Sequence, residues 1–197
     1  MVVTLSRVFS KEVPRIIHIH FSLDSWATIF ITGAIYSVFG RDEDGFSINV
    51  FRMFCLHWNI YFCFLVSHWE KYNTGILNLP WGYDISMVSS FLLYLVTAAG
   101  GHQMWSRLLP GDIPPGPIFE LATYMGNLGM TLPVALWTIR IAYRDGTGKD
   151  RSFSEAMRPL VATSVAMLLC FAWVLGSPSD ILVLDPRCVY LLTGLTP

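Results

Sequence analysis

Charged side chains are scarce in this sequence. Asp, Glu, Lys and Arg make up 14% of the 197 residues, whereas soluble domains carry about 25%. The chain is 53% hydrophobic with a mean hydropathy of +0.50. Its formal net charge is −1, which excludes the basic surface that a nucleic-acid-binding protein needs. This balance indicates an integral membrane protein.

Closely spaced cysteine pairs are also missing, and the sequence does not predict a signal peptide. The four cysteines are Cys55, Cys63, Cys170 and Cys188, and none forms a CxxC pair. Because all four lie within or beside apolar segments, we expect free thiols rather than a metal or redox site. Arg7 and Lys11 interrupt the first apolar run, so residues 1–20 do not resemble a signal peptide.

The apolar segments define the predicted fold. We expect an all-α polytopic membrane helix bundle of about five transmembrane helices plus an incomplete sixth. The predicted spans cover residues 24–39, 46–67, 85–101, 118–143 and 159–176, and the incomplete run covers residues 181–197. We also expect Pro133 to kink the fourth span.

A few polar side chains fall inside these spans. Polar groups are costly in lipid and should face protein or water, and interhelical hydrogen bonding is their simplest role. A small channel or transporter would also use such groups, although the chain has no internal repeat of the kind that transporters often show. These residues are Arg52, His57, Asn59, Glu120 and Asn127.

Basic residues are distributed unevenly between the predicted loops. If the spans alternate, the N-terminus, residues 67–84 and residues 140–158 share one side and hold most of the Lys and Arg. The opposite loops hold only Arg41 and Arg107. Because basic loops stay in the cytosol, we expect a multi-pass protein with a cytosolic N-terminus.

The densest group of bonding and stacking side chains lies in residues 67–87, which read SHWEKYNTGILNLPWGYDISM. Gly75, Pro80 and Gly82 favour a turn or re-entrant connection over one unbroken helix. One interpretation is a short loop with an aromatic belt at the membrane boundary. The other is a functional site.

The strings HWEKYNTG and LPWGYDIS resemble the ethanolamine-using branch of the CDP-alcohol phosphatidyltransferase family. IYSVFGR at residues 35–41 and SPSDILVLDPR at residues 177–187 fit the same branch, and the resemblance spans residues 23–194. It implies transfer of phosphoethanolamine from CDP-ethanolamine to diacylglycerol, which makes phosphatidylethanolamine. It also implies an endoplasmic reticulum or Golgi membrane location and dependence on Mg²⁺, with Mn²⁺ as the alternative.

The family signature itself, DxxDGxxARx₈GxxxDxxxD, is mostly absent. The chain has no Ala-Arg dipeptide. Only the end of the motif survives as IHFSLDSW, residues 19–26. By resemblance Asp24 is a metal ligand, while His20 and Phe21 stand where the family has an aspartate and a histidine proposed as a general base. His18 and His20 are poor substitutes because Mg²⁺ prefers oxygen ligands.

The resemblance further predicts which residues bind substrate. These are His68, Trp69, Glu70, Tyr72 and Asp84, and helix-end anchoring is the alternative role for each. We divide the chain into a divergent segment, residues 1–20, and a partial phosphotransferase domain, residues 21–197. Since one carboxylate cannot build a two-metal site, we expect no intact catalytic set and a truncated, inactive form.

Two functions therefore stay open. The first is that of the family enzyme, with this chain catalytically incomplete. The second is a non-catalytic membrane isoform or fragment that pairs with, or competes with, the full-length enzyme. The partners expected are CDP-ethanolamine, diacylglycerol, the lipid bilayer, and either a second copy or a full-length subunit; choline and ethanolamine selectivity stays unresolved.

Overall fold

The computed structural model describes residues 33–40, 47–75, 80–101, 104–105, 114–150 and 152–194. Within the described helices, the side chains of residues 80–87, 191, 193 and 194 are not described. Every regular element in these ranges is a helix, as the apolar spans predict. The predicted N-terminal segment, residues 1–20, and Asp24 lie outside the described residues.

Helix α1 covers residues 33–39 and leads into the long central helix α2, Val50–Thr74. The amide oxygen of Asn49 accepts from the Phe51 backbone N–H at 2.9 Å, which caps the first turn. At the other end Gly75 has φ 70° and donates its N–H to the Lys71 carbonyl. A left-handed residue stops a helix, and glycine adopts that conformation without a Cβ penalty.

The break predicted within residues 67–87 is confirmed: α2 stops at Gly75, and the next helix begins at Pro80. Residues 67–74 continue α2, because no helix breaker precedes Gly75 and the buried residues of this part pack on the bundle. Helix α3, Pro80–Gly100, begins directly at the predicted Pro80 breaker. Proline suits a first helical position, where its missing N–H has no helical partner to lose.

The predicted fourth span forms one continuous helical segment with three parts. Helix α4, Pro115–Tyr124, passes into a π-helical segment, Met125–Thr131, and then into α5, Leu132–Arg144. We predicted a kink at Pro133, and the structure widens the turns just before that residue. Proline lacks an N–H and crowds the carbonyl four residues earlier, and a wider π turn relieves this conflict.

Helix α6, Phe153–Gly176, follows a polar loop, and the short helices α7, Ile181–Leu184, and α8, Pro186–Gly194, follow in turn. The Ser152 side chain accepts from the Glu155 backbone N–H, an N-cap of the capping-box type. Residues 181–194 thus form two short helices separated by Asp185, where one incomplete span was predicted. The Asp185 carboxylate accepts from the Cys188 N–H at 3.2 Å and caps α8.

The core surrounds the middle of α2, which contacts α4, the π segment, α5, α6, α7 and α8. Phe54 lies 4.8 Å from Phe171 of α6, centroid to centroid. Phe39 of α1 stacks on Phe119 of α4 at 4.9 Å. The four cysteines are free thiols, as predicted.

Two described helices, α2 and α6, are long and apolar enough to cross a membrane. Their lengths of about 37 Å and 36 Å at 1.5 Å per residue exceed the roughly 30 Å of a hydrocarbon core. Apolar side chains of α3 and α6 are widely exposed, including Phe91, Leu95, Leu168 and Leu169. Exposed apolar faces of this kind are typical of helices that contact lipid or a protein partner. Two of the described helices are long and apolar enough to cross a membrane, where five spans were predicted.

Candidate functional site

Trp69 ties the end of α2 to α6. Its side chain is buried, and its Nε1–H donates to the Ala156 carbonyl oxygen at 2.6 Å. Ala156 is itself fully buried in the first turns of α6. Since a buried indole N–H normally finds an acceptor, this contact accounts for the tryptophan without an aromatic belt at this position.

Asn73, one turn further along α2, connects the same helix end to α5 and to the following loop. Its Nδ2 donates to the Trp69 carbonyl at 2.9 Å, and its Oδ1 accepts from the Tyr143 hydroxyl at 2.7 Å. The Tyr143 oxygen in turn accepts from the Asp150 N–H at 3.1 Å. The Asn73 carbonyl accepts from the Lys149 N–H at 3.2 Å. Through its side-chain amide and its backbone carbonyl together, Asn73 therefore bonds to groups from three segments.

Tyr143 lies in the last turn of α5 and joins Asn73 to the loop that follows that helix. A protonated phenol can donate to Asn73 while accepting from the Asp150 amide. We term the contacts among Trp69, Asn73, Tyr143, Asp150 and Ala156 the polar junction.

Tyr72 and Lys149 form a second contact beside the polar junction. The Tyr72 side chain is 52% exposed, and the Lys149 ammonium nitrogen lies 3.8 Å from the centroid of its ring. That distance is within the range of a cation–π interaction. The structure therefore holds a primary ammonium over an accessible aromatic face.

The predicted substrate-binding residues lie on different faces of α2. Trp69 and Glu70 are buried, whereas Tyr72 is exposed. His68 is partly buried, with Nδ1 2.8 Å from the Phe64 carbonyl oxygen, and it shares a face with Tyr72 four residues later. Asp84 lies in the first turns of α3, but its side chain is outside the described residues. A role for these five residues in substrate binding stays a prediction.

The predicted Mg²⁺ site depends on Asp24, which lies outside the described residues. Within the described ranges, no three His, Cys, Asp or Glu side chains come close enough to hold a metal ion. These residues alone do not fit a two-metal centre, which needs several carboxylate oxygens. Magnesium dependence stays a prediction.

Arg52, near the start of α2, forms an ion pair with Glu120 that the sequence did not predict. Arg52 Nε donates to Glu120 Oε1 at 3.2 Å, and Arg52 Nη2 donates to Glu120 Oε2. The Arg52 side chain is 52% exposed and that of Glu120 is 10% exposed. Both residues had been singled out as polar groups within apolar segments, but only the packing of α4 on α2 shows that they meet.

Two more polar residues within the predicted spans, His57 and Asn59, were expected to face protein or water. His57 and Asn59 are buried, so they face protein. Asn59 Nδ2 lies 3.5 Å from the Thr123 carbonyl of α4, a long interhelical contact. The His57 ring meets Tyr190 of α8 edge-on at 4.5 Å. The interhelical hydrogen bond predicted as their simplest role is present for Asn59, whereas the contact described for His57 joins two rings.

The two shorter family-like strings also come together at this end. Tyr36, from residues 35–41, lies 5.1 Å from the Tyr190 ring and 5.9 Å from the Arg187 guanidinium carbon. Arg187 closes the second string, residues 177–187. The Tyr190 hydroxyl donates to the Val50 carbonyl at 3.1 Å. Strings that are far apart in sequence therefore pack together around the first turn of α2.

Comparison with known proteins finds curated relatives that share one name. The chain is 42% identical over 172 residues to human "Ethanolaminephosphotransferase 1". It is 40% and 41% identical to the mouse and Pongo abelii proteins of the same name. The chain is thus similar to part of ethanolaminephosphotransferase 1. The match covers 87% of this chain and 43% of each relative, so the chain spans less than half the length of the curated relatives it matches.

The relationship confirms the resemblance drawn from residues 67–86. No family model matches the chain, and no solved structure matches it. The similarity therefore rests on these curated relatives. It supports a phosphotransferase relationship, while the reaction of this chain is a separate question.

Proposed function

We propose that the chain serves in an ethanolaminephosphotransferase, which moves phosphoethanolamine from CDP-ethanolamine to diacylglycerol. In that reaction the diacylglycerol hydroxyl oxygen bonds to the phosphorus of phosphoethanolamine. The bond from this phosphorus to the bridging oxygen breaks, CMP leaves with the bond electrons, and the hydroxyl proton is released. The observation that carries the proposal is the 42% identity over 172 residues.

We further propose that the chain as it stands does not catalyse this transfer alone. His20 and Phe21 occupy positions where, by resemblance, a metal-binding aspartate and a general base are expected. Asp24 is the one aligned carboxylate that remains. In structural terms, we propose that α2 and the polar junction form one side of the membrane domain. We also propose that Asp24 is a ligand of a metal centre.

A chimaera tests whether this chain carries its share of the enzyme. The 172-residue matched segment would replace its counterpart in the human relative, expressed in membranes without endogenous phosphotransferase. Labelled phosphatidylethanolamine is then followed with CDP-ethanolamine, diacylglycerol and Mg²⁺. We expect product from the chimaera, none from the chimaera with Asp24→Ala, and none from the chain alone. A chimaera that inserts normally but makes no product would reject the proposed function.

A second role is pairing with a longer relative. It is favoured by the exposed apolar faces of α3 and α6 in the described protein. Co-expression of this chain with the human relative tests it: reduced product formation, with co-purification of the two chains, would support it. Unchanged activity without co-purification would reject it.

The membrane arrangement is part of the same proposal. We place the polar junction and the N-terminus on the cytosolic side of an endoplasmic reticulum or Golgi membrane. The support is the concentration of Lys and Arg in the loops at that end, together with the direct contact between residues 73 and 149. Labelling of single cysteines at positions 74 and 147 by an impermeant thiol reagent in sealed vesicles tests the side.

A further inference from the structure

Lys149 is positioned over Tyr72 by its backbone as well as by its side chain. Its N–H donates to the Asn73 carbonyl at 3.2 Å, and Asn73 is fixed by its own bonds to Trp69 and Tyr143. The ammonium then lies 3.8 Å from the Tyr72 ring centroid. Hydrogen bonds of the polar junction thus hold the backbone of Lys149 beside the end of α2 that carries Tyr72.

The surroundings of this contact favour positive charge. Tyr72 and Asn73 lie in the last turn of α2, where the backbone carbonyls carry partial negative charge and attract cations. The ring remains 52% exposed. A ligand cation can therefore reach the same aromatic face from solvent.

We propose that the exposed face of Tyr72 is a binding subsite for a primary ammonium group, and that Lys149 occupies it while no substrate is bound. The ligand is the ethanolamine end of CDP-ethanolamine, so this inference rests on the proposed function. A lysine side chain ends in CH₂–NH₃⁺, as ethanolamine does, so the resident cation and the substrate cation are chemically matched. Cation–π attraction orients the head group and leaves the phosphate free to face the reacting centre.

This arrangement predicts competition within the protein. Substrate must displace the Lys149 ammonium from the ring, so a neutral side chain at position 149 should raise affinity. A cation–π contact at an exposed site contributes about 0.5–1 kcal/mol, which corresponds to a change of about two- to fivefold in affinity. Removing the ring should cancel that gain.

The experiment measures binding to the purified full chain in maltoside detergent, which contains no ammonium group. CDP-ethanolamine and CMP are titrated separately by calorimetry, and the ratio of their affinities is compared. We expect Lys149→Met to raise the preference for CDP-ethanolamine about threefold. Tyr72→Leu should remove this gain in the double variant, and Tyr72→Phe, which keeps the ring, should retain it.

Lys71→Met is the matched control, because Lys71 is the neighbouring lysine on α2 and no cation–π contact joins it to Tyr72 among the described residues. It should leave the preference unchanged. Equal affinity for CMP and CDP-ethanolamine in Lys149→Met, or no binding of either, would overturn the subsite. Unchanged circular dichroism of each variant shows that the fold is intact.

Two further arms separate related outcomes. If phosphatidylethanolamine added to the micelles binds while CDP-ethanolamine shows no preference over CMP, the assignment to the donor substrate is overturned. The chimaera assay reads phosphotransfer independently of this subsite. Product formation there, with no ammonium preference here, would reject the subsite and leave the proposed function standing.

Discussion

The indole Nε1–H of Trp69 donates to the Ala156 carbonyl oxygen across 2.6 Å, so two residues 87 positions apart join the end of α2 to the start of α6. This bond and the Asn73 network beside it hold the polar loop between α5 and α6 against α2. The segment that carries the strongest family resemblance is therefore also a structural junction. Packing and hydrogen bonding within the protein already account for Trp69 and Asn73, without a contact to substrate.

Trp69→Phe should destabilise the protein by about 1–3 kcal/mol, because it removes a buried hydrogen bond and part of a buried ring. Trp137→Phe is the control, since Trp137 is exposed and should change stability by less than about 0.5 kcal/mol. Unfolding in mixed micelles with sodium dodecyl sulfate, followed by circular dichroism, gives both free energies. Equal losses of unfolding free energy in the two variants would contradict the structural role of the Trp69 hydrogen bond.

Asn73 and Tyr143 should be energetically coupled. Asn73→Ala and Tyr143→Phe each break the 2.7 Å hydrogen bond between them, so the double variant should cost less than the sum of the single variants by about 1 kcal/mol. The same unfolding experiment measures the cycle. Strict additivity would show that the bond contributes nothing in the membrane-mimetic environment.

The Arg52–Glu120 pair should respond asymmetrically to substitution. Arg52→Met leaves a carboxylate whose side chain is only 10% exposed and should cost about 2–3 kcal/mol, because a largely buried charged acceptor loses its partner. Glu120→Met leaves a half-exposed guanidinium that water can solvate, with a cost of about 1 kcal/mol. The unfolding free energies of the two variants show which substitution costs more. A larger loss in Glu120→Met than in Arg52→Met would contradict the prediction.

The π segment should depend on Pro133. Deleting Gly129 restores the α-helical spacing but places Pro133 against the carbonyl four residues earlier, which should cost about 3 kcal/mol. Combining the deletion with Pro133→Ala should recover most of that loss, because the new residue supplies an N–H. Unfolding of the single and double variants tests this, and failure of Pro133→Ala to rescue would mean that the widened turn has another cause.

Much of the fold follows from local sequence. Apolar composition, the Asn49 cap, the Gly75 stop and the Pro80 start each act through the backbone and side chains of a few neighbouring residues. That is why an all-helical protein and a break within residues 67–87 could be predicted from the chain alone. The relationship to ethanolaminephosphotransferase 1 could likewise be recognised, since it lies in the order of the residues.

Tertiary structure alone decided which polar groups meet. Arg52 and Glu120 were both conspicuous in the sequence, and so were Trp69 and Tyr72, but their partners lie 68, 87 and 77 positions away in the chain. Local patterns do not encode such pairs, because the pairing depends on how α4, α5 and α6 are placed around α2. Thus the sequence determined the helices, their ends and the family relationship, whereas packing decided that Trp69 is buried, that Tyr72 faces outward, and that Lys149 lies over its ring.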